Sequence, residues 1–214
     1  MGEGPMRDDY RSSRRALDAT DLARVAVMAA TIAVLGLPGS FNVFGAVPIT
    51  AQSLGVMLAG AILGPRLGAL SVVVLLALTA TGLPLLAGGR GGLGVFVGPS
   101  AGYAIGWIAA AFVIGLIVHA TPYKPTVWRT ALGVVVGGIL VDYAFGIPVQ
   151  SLVTRLPLGE TALTSLVFVP GDLVKAVLAT LVVVGLVRAY PRAFRRTWQP
   201  RKQRDTDDQV QAGR

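Results

Sequence analysis

The chain has 214 residues, of which 53% are hydrophobic and only 14% charged, and its mean hydropathy is +0.66. A soluble domain carries about 25% charged residues, so the composition excludes an ordinary soluble globule and indicates an integral membrane protein. Of the formal net charge of +8, residues 188–214 supply +5 and residues 25–187 supply +3, while residues 1–24 are balanced; a basic tail beside apolar segments fits a cytosolic face against anionic lipid rather than a nucleic-acid partner.

In chain order, residues 1–21 form a polar cytosolic tail of mixed charge. The apolar run behind it lacks the small-residue cleavage pattern of a secretory signal. Residues 22–190 hold six apolar runs, which predict six membrane helices at about 22–37, 49–63, 67–83, 99–118, 130–153 and 172–190. Pro38-Gly39, Gly64-Pro65 and Pro84 end the first three. Crossing the hydrocarbon takes roughly 20 helical residues. These three runs are shorter, so they are expected to extend into their neighbours or to be broken helices. Residues 191–214 form a basic cytosolic tail too polar to build a core.

An even number of spans places both termini on one side. The front of the chain carries five Lys or Arg, the back eight, and the connections on that side Arg66, Lys124 and Arg129. The other side holds only Arg90 and Arg155. This asymmetry predicts a multi-pass protein of the cell membrane with both termini in the cytosol. The 41–49 segment, the loop around Arg90 and the 155–170 connection then share the outer side and converge over one cavity.

Small residues mark two helices. Ala26 and Ala30, like Ala29 and Ala33, are spaced four apart in the first run. Such spacing lets helices approach closely in lipid, either within the bundle or against another chain. Gly133, Gly137 and Gly138 do the same in the fifth.

The segment LPLLAGGRGGLGVFVGPSAGY at 83–103 joins two apolar runs and is dense in glycine. Arg90 sits in its middle, and no acid occurs between Asp21 and Asp142. Irregular backbone at membrane depth is tolerated where protein buries it or where it lines a cavity. The segment therefore reads as the lip of a site for a small anion, or as an outer loop with one solvated arginine.

Ionisable residues within membrane segments are costly and are functional candidates by default. Between residues 25 and 187 the acids are Asp142, Glu160 and Asp172. Asp172 and Lys175 lie three apart in VPGDLVK, on one helical face. They form either a capped helix start with a local ion pair or part of a binding site. Gln52 adds an uncharged donor and acceptor. Together these groups suit a ligand with a neutral polar head and one carboxylate, which an arginine matches bidentately. Phe41, Phe44, Phe96 and Tyr103 offer apolar walls. There is no cysteine, and His119 reads as an interfacial residue. No metal site, cofactor, nucleophile–base pair or phosphate-binding GxxxxGK[ST] loop is expected, so the chain is not read as an enzyme or an ATPase.

Three motifs, VPITAQSLGVMLAGAILGPRLGALSV (47–72), GLPLLAGGRGGLGVFVGPSAGYAIG (82–106) and VPGDLVKAVLA (169–179), resemble the BioY family. Its members are the biotin-binding S components of energy-coupling factor (ECF) transporters. The resemblance covers roughly residues 22–190. It implies an all-α bundle of six transmembrane helices, with biotin as transported ligand held near the outer face. It also implies an ECF transmembrane coupling subunit and cassette ATPases as partners. Carried to this sequence, it implies ligand contacts from Gln52, Arg90, Tyr103, Asp172 and Lys175. Asp142, in the least motif-like helix, and Phe44 and Gly91 are further ligand-binding candidates. The resemblance also bears on the first helix. It assigns Ala26 and Ala30 there to partner docking. Ser100 stands where the family often has threonine, keeping the hydroxyl. The competing readings are a stand-alone biotin carrier, a membrane enzyme and a structural membrane protein.

Overall fold

The structure is a computed structural model that describes residues 17–37, 39, 50–121 and 125–190. Residues 1–16 and 191–214, the 41–49 segment with Phe41 and Phe44, and Lys124 lie outside the described residues. The described chain is all-helical, apart from one isolated bridge between Leu86 and Arg90.

α1 spans Ala19–Val34 and starts where the Asp18 carboxylate accepts from the Asp21 amide at 2.6 Å, satisfying a free N–H of the first turn. α2 spans Gln52–Ala80, α3 Ala101–Val118 and α4 Val127–Val135. A π-helical stretch, Val136–Val141, leads from α4 directly into α5, Asp142–Thr154. α6 spans Leu158–Ser165, and α7 spans Val169–Ala189. Among the described residues, four stretches are long and apolar enough to cross a membrane: Gln52–Ala80, Ala101–Val118, Val127–Thr154 and Leu158–Ala189.

Six separate helices were expected; the runs at 49–63 and 67–83 instead form the one element α2, broken at Gly64 (φ 82°, ψ −178°) before Pro65. Only glycine adopts that φ readily, and proline removes a helical donor. The break is a reversal. A straight helix of 29 residues would be about 43 Å long. Yet a Cβ added to Gly68 would lie 2.8 Å from the Ala59 carbonyl oxygen, and Gln52 bonds to Leu85 and Ala87 beyond the far end. The two arms of α2 therefore lie side by side. His119 closes the bend, its Nε2 2.9 Å from the Ala61 carbonyl oxygen.

Two apolar clusters join the helices. Ile32, Val56, Val72, Leu75 and Ala111 fasten α1, both arms of α2 and α3. Met57, Ile114, Val134, Ala179 and Val183 fasten α2, α3, α4 and α7. Glycines set the approach: side chains at Gly60, Gly115 or Gly137 would overlap the Ala111 carbonyl, the Pro65 nitrogen or Ile114.

The 155–170 connection, read as a loop, contains α6 and a 3-10 turn at Leu166–Phe168. The last helix starts at Val169 with Pro170 in its first turn, so Asp172 is inside the helix and is not its cap.

Candidate ligand-binding site

The glycine-rich segment folds back on itself. Leu86 and Arg90 exchange backbone hydrogen bonds at 3.0 and 3.1 Å, and Gly88 and Gly89 turn the tip with φ of 78° and 70°. Residues with a Cβ disfavour two successive positive φ angles. Gly91 is needed for space: a Cβ there would overlap the Leu83 carbonyl oxygen.

Gln52 holds this loop. It is 1% exposed. Its Nε2 donates to the carbonyls of Ile32 and Leu85 at 3.2 and 2.9 Å, and its Oε1 accepts from the Ala87 amide at 2.8 Å. Both amide hydrogens are thereby used within the protein.

Arg90 is half-buried. Its Nε donates to the Ala87 carbonyl at 3.1 Å and its Nη1 to Ser100 Oγ at 3.1 Å. These bonds fix the guanidinium and leave Nη2 without a partner among the described residues. Arg90 has no acid partner among the described residues. Loss of water on burial lowers its pKa from the usual value. The reading as a solvated surface arginine does not fit this setting.

A second polar chain crosses the bundle. Lys175 Nζ donates to Asp172 Oδ1 at 2.9 Å and to Ser53 Oγ at 2.9 Å. Tyr143 OH donates to Asp172 Oδ2 at 2.7 Å. The Asp172 carboxylate is thus shared between α5 and its own helix, α7, while Lys175 ties α7 to α2. Gln52 and Ser53 are consecutive, so the first turn of α2 touches the arginine loop through one and the ion pair through the other.

Tyr103 on α3 is buried, and its ring meets Tyr143 edge-on at 6.1 Å and Phe168 at 6.5 Å. Its hydroxyl donates to Gln150 Oε1 at 2.9 Å and lies 3.1 Å from Ser165 Oγ. Gly146 on α5 leaves room for the ring, which a Cβ there would overlap. Asp142 is also buried, beside Gly106 of α3.

The structure thus gathers Tyr103, Asp142, Asp172 and Lys175 into one region of the bundle. It sets Arg90 on a loop anchored to the same turn of α2. Phe44 lies outside the described residues. Ser53, Tyr143, Gln150, Ser165 and Phe168 were not singled out from sequence. Each is uncharged, and only its partner across the bundle marks it. Ala26 and Ala30 are exposed on the outward side of α1, whereas Val25, Ala29 and Ile32 face the core. Packing within the bundle does not account for the first pair.

The arrangement is suited to binding. It combines an enclosed donor–acceptor cluster with a fixed, half-buried cation. This suits a molecule with a compact polar head at one end and an anion at the other.

A model of the BioY family matches residues 10–192. The chain is 47% identical over 179 residues to the biotin transporter BioY of Rhodobacter capsulatus, a match covering 79% of this chain and 94% of that one. It is 45% identical over 170 residues to a probable biotin transporter BioY of Bacillus subtilis, covering 79% and 91%. Among solved structures, a crystal structure of the S-component for biotin from an ECF-type ABC transporter matches with a TM-score of 0.74 and 35% identity. That match covers 79% of this chain and 91% of that one.

Proposed function

The chain belongs to the BioY family, and on that premise we propose that it is the biotin-capturing membrane subunit of an uptake transporter. The observation that carries the reading is the pairing of the Ser53–Lys175–Asp172–Tyr143 chain with a fixed arginine lacking an acid partner among the described residues. Biotin has a neutral ureido ring at one end and a carboxylate at the other. The ureido head pairs with Asp172 and Lys175, the carboxylate with Arg90, and Tyr103 walls the apolar body between them. Gln52 acts by holding the loop that carries Arg90.

The reversal at Gly64 makes two membrane passages of α2. With α1, α3, the α4–α5 helix and α7 this gives six passages, with both termini in the cytosol as the Lys and Arg distribution favours. The site then opens outward. Import draws on a transmembrane coupling subunit, docked along Ala26 and Ala30, and on cassette ATPases; the chain itself is not an enzyme. Close helix packing needs small side chains at such a face.

Titrating purified chain with biotin tests the reading: saturable binding supports it and its absence retires it. Uptake with and without co-expressed coupling and ATPase subunits separates a subunit from a stand-alone carrier.

A further inference from the structure

Asp142 has no role in the polar chain described above. It is 6% exposed, and its Oδ1 is fully enclosed with no hydrogen-bond partner among the described residues. Asp172 differs: Lys175 occupies one of its oxygens and Tyr143 the other. A buried polar atom without a partner is disfavoured by the full cost of its lost hydration. Such an atom calls for a group that arrives later.

We propose that Asp142 is the acceptor held open for an N–H of the bound molecule, and that it selects ligands carrying that N–H. This rests on the biotin reading, under which the donor is one of the two ureido N–H groups. Three features place Asp142 in the same site. Its neighbour Tyr143 bonds Asp172. Gly146, one turn further along α5 on the same face, lies against the Tyr103 ring. And Asp142 Oδ1 lies close against α3, since a Cβ on Gly106 would come within 2.8 Å of it. The π-helical stretch Val136–Val141 ends at Asp142. The wider turn shifts the register of α5 against α4, and π-bulges of this kind recur at functional sites.

The donor class follows from what surrounds the acid. Lys175 bonds to Asp172 and Ser53, and no ion pair joins it to Asp142 among the described residues. A metal ion would need further ligands, and no group of three His, Cys, Asp or Glu is present among the described residues. A neutral N–H donor satisfies the oxygen with no second acid or added cation.

The test uses the full-length purified chain as wild type, Asp142→Leu and Asp142→Asn. Each is titrated with biotin and with its two mono-N-methyl ureido derivatives, and each is melted without ligand. Wild type should bind one methyl derivative about ten- to a hundredfold more weakly than biotin, the range for leaving a buried acceptor unsatisfied. Asp142→Leu should bind biotin weaker by a similar factor and no longer discriminate against that derivative. Its ligand-free melting temperature should equal or exceed that of wild type, because an unpartnered acid has gone. A variant that binds biotin normally, or that keeps the discrimination, overturns the proposal, as does a lowered melting temperature. Should the leucine variant not fold, Asp142→Asn keeps the shape and is expected to lose several-fold in affinity; an unchanged titration overturns the assignment. Failure of wild type to bind biotin retires the biotin reading itself. Wild-type binding with an indifferent position 142 retires only the assignment of Asp142.

Discussion

Replacing Asp172 by asparagine separates a binding pair from a structural one. The side chains of Asp172 and Lys175 are 11% and 14% exposed, and they meet at 2.9 Å. Removing one member of a buried pair costs about 3–5 kcal/mol, because it strands the other charge. Lys175 keeps its bond to Ser53, and some water reaches the pair, so the lower end, about 3 kcal/mol, applies. If the same two groups hold the ureido head, that loss appears in affinity as about a hundredfold rise in Kd. Asparagine can still accept from Tyr143, so the α5–α7 contact should survive. The double variant Asp172→Asn, Lys175→Met removes the stranded charge. It should regain thermal stability without regaining affinity. Titration calorimetry and thermal unfolding on the same preparations read the two quantities apart. A double variant with wild-type affinity would show that the pair only braces the bundle, and the assignment of the ureido end would fail with it.

Arg90→Ala should abolish the preference for biotin over its carboxamide; a variant that still favours the free acid points to another cation, Lys175 first. Ala26→Leu and Ala30→Leu should leave biotin binding by the isolated chain unchanged and reduce uptake in cells holding the partner subunits, whereas loss of binding would show that this face packs internally. Gln52→Leu strands the Ile32 and Leu85 carbonyls and the Ala87 amide, each at about 1–3 kcal/mol where water cannot reach it. Hydrogen exchange across residues 85–92 should accelerate and the melting temperature fall; unchanged exchange would mean that Gln52 does not fasten the loop.

Composition alone made the membrane class legible, and the residue types Arg90, Asp172 and Lys175 marked a site because charge is costly in lipid. The reversal at Gly64-Pro65 was visible as punctuation between two short runs. What the sequence concealed is tertiary. The 155–170 stretch is polar enough at Pro157 and Glu160 to read as a loop, yet α6 forms there and brings Ser165 to Tyr103. The pattern PGD resembles a cap, but Pro170 is tolerated in the first turn of a helix that starts one residue earlier. Small residues on α1 read alike on every side. Only the burial of Ala29 against the exposure of Ala26 and Ala30 distinguishes the face turned to the bundle from the one turned away.

Residue type and spare bonding capacity rank the polar groups differently, and in lipid the second ranking is the more physical one. Water cannot complete a partial set of bonds there, so a group with all its bonds made inside the protein serves the fold, and a group with bonds left over awaits a ligand. By type, Gln52 and Asp142 are both polar candidates. By capacity, Gln52 has spent both donors on Ile32 and Leu85, while Asp142 has spent nothing among the described residues. Arg90 lies between them, with two nitrogens anchoring the guanidinium and one unpartnered among the described residues. Fixing a cation through part of its bonding set lowers the entropy lost when the rest engages a carboxylate. On the proposed reading the same logic separates the two acids: Asp172 meets the ureido head with lone pairs left over beside its bonds to Lys175 and Tyr143, and Asp142 offers an acceptor unused among the described residues.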